Sequence, residues 1–201
     1  MDLKNINNEY IEKKGLEIME GAIKLARDLG VRIIQLAGYD VYYEESSSKT
    51  KEKFIQNIGK AVSMASKYGV ILGFETMETE FMNTISKSLE YIDKFPSPYL
   101  KIYPDCGNLM NASVLYSTDM YMDMEKGVGN IVAVHLKETV PNKYREIEFG
   151  KGHVDFEKVI DVSWKLGVRS FVTEMWYTGN QNWLLNIQEA FNMMTKILNN
   201  M

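Results

Sequence analysis

Four side chains that could bind a metal ion each stand at the end of an apolar segment of this sequence. The segments 70–75, 99–105, 131–135 and 170–174 end on Glu75, Asp105, His135 and Glu174. If the segments are parallel strands, their carboxyl ends lie at one edge of the sheet and the four side chains converge there. Carboxylates with one imidazole suit Mn²⁺, Mg²⁺, Co²⁺ or Zn²⁺, and the absence of cysteine ligands argues against a closed structural zinc site. The pattern predicts one divalent metal ion with open positions for a substrate.

Each of the four residues also has an ordinary structural explanation. Glu75 could cap a helix or be solvated, and Asp105 lies among residues that favour an Asx-turn. His135 could be a core residue with its hydrogen bonds satisfied, and Glu174 could pair with a nearby Lys or Arg. One shared site explains all four positions better than four independent accidents do. The joint pattern therefore favours the metal site.

A repeated unit positions these residues along the chain. Gly30, Gly69 and Gly167 each close a helical pattern and precede an apolar run, with a looser copy at Gly129. A glycine in the left-handed conformation ends a helix, and the β-branched residue after it favours a strand. The spacing of roughly 30 to 40 residues corresponds to one helix and one strand.

The repeated pattern predicts an α/β fold with about six helices and about five parallel strands. The helices are expected at about 8–29, 49–68, 82–94, 116–127, 156–166 and 183–199, and the strands at about 32–37, 70–75, 99–104, 131–136 and 170–175. Ser46 to Ser48 and Asp155 are the expected helix N-caps. Five strands are too few for the eight-stranded (β/α) barrel. The fold is therefore either a short open sheet or an incomplete barrel that lacks its first strands.

Composition narrows the class of protein. The chain has 201 residues, 45% of them hydrophobic, which suits a single domain over residues 1–201. A net charge of −4 without a basic stripe disfavours nucleic acid and anionic membranes as partners. A single cysteine, no apolar leader and no long apolar run favour a cytoplasmic protein.

Four stretches of the sequence carry a family resemblance that spans nearly the whole chain. They are 33–44 (IIQLAGYDVYYE), 103–109 (YPDCGNL), 133–138 (AVHLKE) and 173–176 (TEMW). Together they resemble the L-ribulose-5-phosphate (L-xylulose-5-phosphate) 3-epimerases of L-ascorbate and L-xylulose catabolism. These enzymes belong to the xylose isomerase-like TIM barrel superfamily. The family barrel has about three further strands before the first one here, so the resemblance implies an N-terminally truncated barrel.

The resemblance implies a divalent metal ion held by Glu75, Asp105, His135 and Glu174. It also assigns Glu75 and Glu174 to acid–base catalysis. Epimerisation at C3 of a pentulose 5-phosphate removes a proton from one face and returns one to the other, through an enediolate that the metal stabilises. Seven further residues at the same edge are weaker candidates for substrate binding: Tyr39, Glu78, Asn108, Lys137, Glu138, Lys151 and Trp176.

Other interpretations stay open at the sequence level. A truncated barrel could bind metal or a partner without turnover, and a related sugar-phosphate isomerase is a second enzyme class. A histidine-rich multi-zinc nuclease is disfavoured by only two histidines, and a hydride shift of the xylose isomerase type would need a second metal site. Missing strands would expose sheet edges, so we expect a homo-oligomer, most simply a dimer, that acts on a small sugar phosphate.

Overall fold

A computed structural model describes residues 9–201 of the chain, and within them seven helices alternate with five strands. The helices are α1 (Glu9–Leu29), α2 (Ser48–Tyr68), α3 (Ile85–Ile92), α4 (Cys106–Tyr116), α5 (Met120–Lys126), α6 (Phe156–Lys165) and α7 (Trp183–Leu198). The strands are β1 (Ile33–Ala37), β2 (Ile71–Glu75), β3 (Leu100–Ile102), β4 (Val134–Leu136) and β5 (Phe171–Thr173). This order confirms the predicted α/β class.

The five strands run parallel in chain order. β1, β2 and β3 form one sheet, and β4 pairs with β5 in a second. Two parallel bridges connect the sheets, between Ile102 and Ile131 and between Asp105 and His135. The carboxyl ends of all five strands therefore lie along one edge. Over residues 9–201 the strands form an open, barrel-like surface, which confirms the predicted incomplete barrel.

The core lies between the sheet and the helices that cover it. Phe74, Leu72 and Leu100 are fully buried on the strands, and α2 buries Ile58, Ala61, Val62 and Ala65 against them. The Phe54 ring packs against Phe74 at a centroid distance of 5.7 Å. Within residues 9–201 no helix is both long and apolar enough to cross a bilayer.

The predicted helix ends are confirmed where they depend on local chemistry. The Ser47 side chain accepts a hydrogen bond from the backbone N–H of Thr50 at the start of α2, and Asp155 caps α6 in the same way. Gly69 ends α2 at a φ of 66°, a left-handed conformation that glycine adopts without strain. These caps fix the directions in which β2 and α6 leave their loops.

The structure contains one helix that was not predicted, and three of its strands are shorter than predicted. Residues 106–116 form α4, so there are seven helices rather than about six, and the element predicted at 116–127 is the shorter α5. The sequence of residues 103–108 predicts a turn, because Pro, Asp, Gly and Asn favour turns. In the structure Asp105 instead caps α4 by accepting a hydrogen bond from the backbone N–H of Asn108 at 2.7 Å. β3, β4 and β5 each have three residues, whereas six were predicted for each.

Candidate metal and substrate site

The four predicted ligand residues meet at the carboxyl edge of the sheet. Glu75 is the last residue of β2, Asp105 precedes α4, His135 is the middle residue of β4 and Glu174 directly follows β5. One potential ligand atom from each side chain lies within 4.8 Å of those of the other three. The residues are drawn from four separate loops and strands, so their meeting is a property of the fold. The group could hold a metal ion.

His135 contacts two of the carboxylates through one ring nitrogen. Its Nδ1 lies 2.8 Å from Glu75 Oε1 and 3.0 Å from Glu174 Oε2. Burial lowers the pKa of His135, but the hydrogen bonds to Glu174 and Glu75 outweigh this effect and raise the pKa to about 9. Because Nδ1 lies beside both carboxylates, it is the imidazole atom that would bind a cation together with them.

Asp105 is fully buried and serves two purposes with its two oxygens. Oδ1 accepts the capping hydrogen bond of α4, whereas Oδ2 forms an ion pair with the Lys137 Nζ at 3.0 Å. Burial raises the pKa of Asp105 to about 7, although the charge of Lys137 opposes this. Three carboxylates and one imidazole whose potential ligand atoms lie within 4.8 Å of one another form a donor set that fits a divalent cation.

Lys137 supplies positive charge beside the carboxylates. Its Nζ is buried and also lies 3.6 Å from Glu174 Oε1. Burial alone would raise the pKa of Glu174. The hydrogen bond from His135 and the charge of Lys137 outweigh burial and lower this pKa to about 2, and the Trp176 side chain contributes to the lowering. Glu174 is therefore ionised at neutral pH, as a metal ligand or a general base must be. Lys137, predicted as a substrate contact, lies within this group.

Gln35 is a member of the site that the sequence analysis missed. It lies on β1, and its Nε2 donates a hydrogen bond to Glu75 Oε2. The other oxygen of Glu75 faces His135, so Gln35 fixes the orientation of this carboxylate. The sequence feature that could have identified Gln35 is its polar side chain in the middle of the apolar run 33–37.

Asn108 braces the site from α4. Its Nδ2 donates to the backbone oxygen of Thr76 at 2.8 Å, and the Thr76 hydroxyl accepts from the backbone N–H of Asp105 at 3.0 Å. These bonds connect the loop after β2 to the start of α4. Asn108 Oδ1 is buried without a hydrogen bond, so the predicted contact to a substrate stays a prediction.

Tyr39 and Glu78 lie on the rim of the site and contact each other. The Tyr39 hydroxyl donates to Glu78 Oε2 at 2.6 Å, and the Tyr43 hydroxyl donates to Oε1. Burial raises the pKa of Glu78, but the hydrogen bonds from Tyr39 and Tyr43 and the charge of Arg145 lower it overall. Burial and the bond to Glu78 raise the pKa of Tyr39. The lowered pKa favours the ionised form of Glu78, and this carboxylate pairs with the Arg145 guanidinium at the rim.

Glu138 and Lys151 lie in the loop between β4 and α6. The buried Glu138 carboxylate accepts hydrogen bonds from the backbone N–H groups of Gly150 at 2.9 Å and Val154 at 3.2 Å. Glu138 thus anchors the loop through its backbone. Lys151 is exposed, and its predicted role toward a phosphate stays a prediction.

Gly152 makes the Glu138 anchor sterically possible. A Cβ at this position would overlap the backbone oxygen of Thr139 and Oε1 of Glu138. We expect Gly152→Ala to lower the free energy of unfolding by about 1 to 3 kcal/mol, measured by urea denaturation. Gly21→Ala is the matched control, because its Cβ on α1 would meet nothing within 4 Å and should add about 0.5 to 1 kcal/mol of stability. Equal stabilities for the two variants would contradict the anchor.

Comparisons with known proteins identify relatives of known type. Residues 3–197 match the family model described as xylose isomerase-like TIM barrel. The chain is 41% identical over 170 residues to the L-ribulose-5-phosphate 3-epimerase UlaE of Escherichia coli O1:K1, and it is equally similar to UlaE of Escherichia fergusonii. These alignments cover 84% of this chain and 58% of each relative, so the chain spans less than two thirds of their length.

Solved structures share the fold at low sequence identity. A D-tagatose 3-epimerase-like protein superposes with a TM-score of 0.78 at 19% identity, covering 96% of this chain and 73% of that one. An L-ribulose 3-epimerase gives a TM-score of 0.70 at 20% identity, covering 90% of this chain and 61% of the other. The family model covers nearly the whole chain, and the identity to the UlaE sequences agrees with it. The chain belongs to the xylose isomerase-like TIM barrel family.

Proposed function

We propose that this chain is a metal-dependent sugar-phosphate 3-epimerase that acts on a pentulose 5-phosphate. The observation that carries the proposal is the meeting of Glu75, Asp105, His135 and Glu174 within 4.8 Å at one edge of the sheet. Two of the four are glutamates from different strands, which is the arrangement that a two-base proton transfer needs. The relatives named UlaE are L-ribulose-5-phosphate 3-epimerases, and this name supports the substrate class.

All four residues would hold one divalent ion, which would act as a Lewis acid toward substrate oxygens. The carboxylates of Glu75 and Glu174 contact the same Nδ1 of His135 from separate strands. In the proposed reaction one of them removes the C3 proton of the ketose, and the other returns a proton to the opposite face. Gln35 orients Glu75, and the hydrogen bond from His135 together with the charge of Lys137 favours the ionised form of Glu174.

The choice of carbon and of substrate draws support from the names of the relatives. UlaE and the structures of D-tagatose-like, D-psicose and L-ribulose 3-epimerases differ in the sugar they are named for, but share position 3. The solved structures are too distant in sequence to support more than the fold. L-Ribulose 5-phosphate and L-xylulose 5-phosphate are therefore the first substrates to test, with Mn²⁺, Zn²⁺, Co²⁺ and Mg²⁺ as alternative ions.

The deciding experiment follows solvent deuterium into the substrate by NMR. The chain is incubated with Mn²⁺ and substrate in D₂O, and the paramagnetic Mn²⁺ is removed after the reaction, before the spectrum is recorded. We expect deuterium at C3 of both L-ribulose 5-phosphate and L-xylulose 5-phosphate, and interconversion of the two. Deuterium at C1 with formation of an aldose would indicate an isomerase instead. No exchange at any carbon, in a chain that binds Mn²⁺, would contradict the proposed function and favour a metal-binding barrel without turnover.

A further inference from the structure

Arg145 connects loops from opposite sides of the site rim. It lies in the loop between β4 and α6, and its Nη2 donates to the Tyr43 hydroxyl at 2.6 Å and to Glu78 Oε1 at 2.9 Å. Tyr43 follows β1 and Glu78 follows β2. The guanidinium carbon lies 4.8 Å from the ring centroid of Trp176, which follows β5. One side chain therefore joins the loops after β1, β2, β4 and β5.

Trp176 lies in the loop after β5 and stands two residues after Glu174 along the chain. The side chain of Trp176 is 48% exposed, so packing against the core alone does not fix the ring. A guanidinium stacked on the indole face restricts the ring without blocking its N–H edge.

Tyr43 and Glu78 hold the guanidinium in that stacked position. Tyr43 has a φ of 52°, a left-handed conformation that is uncommon for a residue with a side chain of this size. Its hydroxyl meets both Arg145 and Glu78, so tertiary contacts maintain an unfavourable local backbone. A planar guanidinium can stack on an indole and donate hydrogen bonds in its own plane, whereas a lysine ammonium cannot.

We propose that Arg145 is a positioning residue that holds the indole of Trp176 at the rim of the site, in the loop that begins at Glu174. The contact chain runs from Glu78 and Tyr43 through Arg145 to Trp176. Its catalytic consequence rests on the proposed function, because the loop that carries Trp176 begins at Glu174, which is there one of the two proton-transfer groups. The placement of Trp176 itself does not depend on that function.

The first test measures the indole directly. The sequence contains three tryptophans, so a Trp164→Phe, Trp183→Phe background leaves Trp176 as the only one. In this background we expect Arg145→Met and Arg145→Lys to increase acrylamide quenching of the fluorescence and to lower its anisotropy. Glu78→Gln should move both quantities in the same direction by less. Unchanged quenching and anisotropy in Arg145→Met would overturn the proposal, and so would a lysine variant that behaves as the parent.

Arg169→Met is the matched control for loss of an arginine stacked on an aromatic ring. Arg169 lies 3.8 Å from the ring centroid of Trp164, at the amino end of β5 and therefore at the other end of that strand from Glu174. This substitution should leave the fluorescence of Trp176 unchanged. Circular dichroism shows whether Arg145→Met is folded, and the milder Arg145→Lys and Glu78→Gln variants decide the outcome if it is not.

The second test separates positioning from substrate binding. If the wild-type chain epimerises a pentulose 5-phosphate, we expect Arg145→Met to lower kcat by about tenfold with KM unchanged. A raised KM with unchanged kcat would mark Arg145 as a substrate contact and overturn the positioning role. If the wild-type chain shows no turnover, the proposed function fails. The fluorescence measurements still decide whether Arg145 holds the Trp176 indole in place.

Discussion

Replacing Glu174 with glutamine is expected to stop epimerisation without stopping every proton exchange. Glutamine keeps the size of the side chain but can neither accept nor return a proton at C3. A positioned general acid or base contributes roughly 10² to 10⁴ in rate, and we expect a loss of this size in the interconversion of L-ribulose 5-phosphate and L-xylulose 5-phosphate at saturating Mn²⁺. Glu75 is then the remaining base, so one of the two epimers should still exchange its C3 hydrogen with solvent.

This one-sided exchange is a sharper test than loss of activity alone. A variant that merely lost its metal ion or its fold would exchange neither epimer. Glu75→Gln should give the mirror result, with exchange retained in the other epimer. Glu189→Gln, at an exposed position on α7, is the control and should leave both rates unchanged. Exchange of both epimers at the wild-type rate in Glu174→Gln would remove Glu174 from proton transfer.

The meeting of the four candidate ligand residues could be predicted because it depends on patterns that are local in the sequence. An apolar strand, a parallel sheet and an acid or histidine at the strand end are enough to place Glu75, His135 and Glu174 at one edge. Gly69 and Ser47 were predictable for a similar reason, since they satisfy backbone groups within a few residues of themselves. The fold class followed from repetition of the same helix–glycine–strand unit.

Helix α4 was not predictable because its burial hides its periodicity. Cys106, Gly107 and Asn108 in its first turn are all buried, so no polar face alternates with an apolar one. Gly107 looks like a turn residue in the sequence, but a Cβ there would lie 2.6 Å from Thr139 Cγ2 and 2.8 Å from the backbone oxygen of Lys137. Its absence of a side chain allows α4 to approach the strand that carries His135.

The residues that orient the ligands were missed because their partners are distant in sequence. Gln35 meets Glu75 from a neighbouring strand, and Arg145 meets Tyr43 and Glu78 from a loop on the other side of the rim. Nothing local in the sequence marks these pairs. The structural role of Glu138 was missed for the same reason, because its carboxylate accepts hydrogen bonds from backbone groups more than ten residues further along the chain, and its predicted contact to a substrate stays a prediction.

We expect Asp105→Asn to separate the role of Asp105 in capping α4 from its proposed role in metal binding. Asparagine keeps an oxygen that can accept the backbone hydrogen bond of Asn108, so the cap of α4 survives. The substitution removes the negative charge beside Lys137 and the ionised oxygen that faces the ligand group. An ion present at 100 times its dissociation constant stabilises a protein by about 2.7 kcal/mol, and we expect the variant to lose this Mn²⁺-dependent gain.

The measurement is the Tm of the wild-type chain and of each variant, with and without Mn²⁺, together with the bound metal after dialysis. Asp119→Asn is the matched control, because Asp119 caps α5 through the backbone N–H groups of Tyr121 and Met122 and lies outside the ligand group. We expect it to keep the full Mn²⁺-dependent rise in Tm. In the Asp105 variant Lys137 loses its nearest carboxylate, so the ion-free protein should also be less stable, as breaking a buried ion pair is costly. An Asp105→Asn protein that binds and is stabilised by Mn²⁺ as well as the control would show that the other three residues form the site without it.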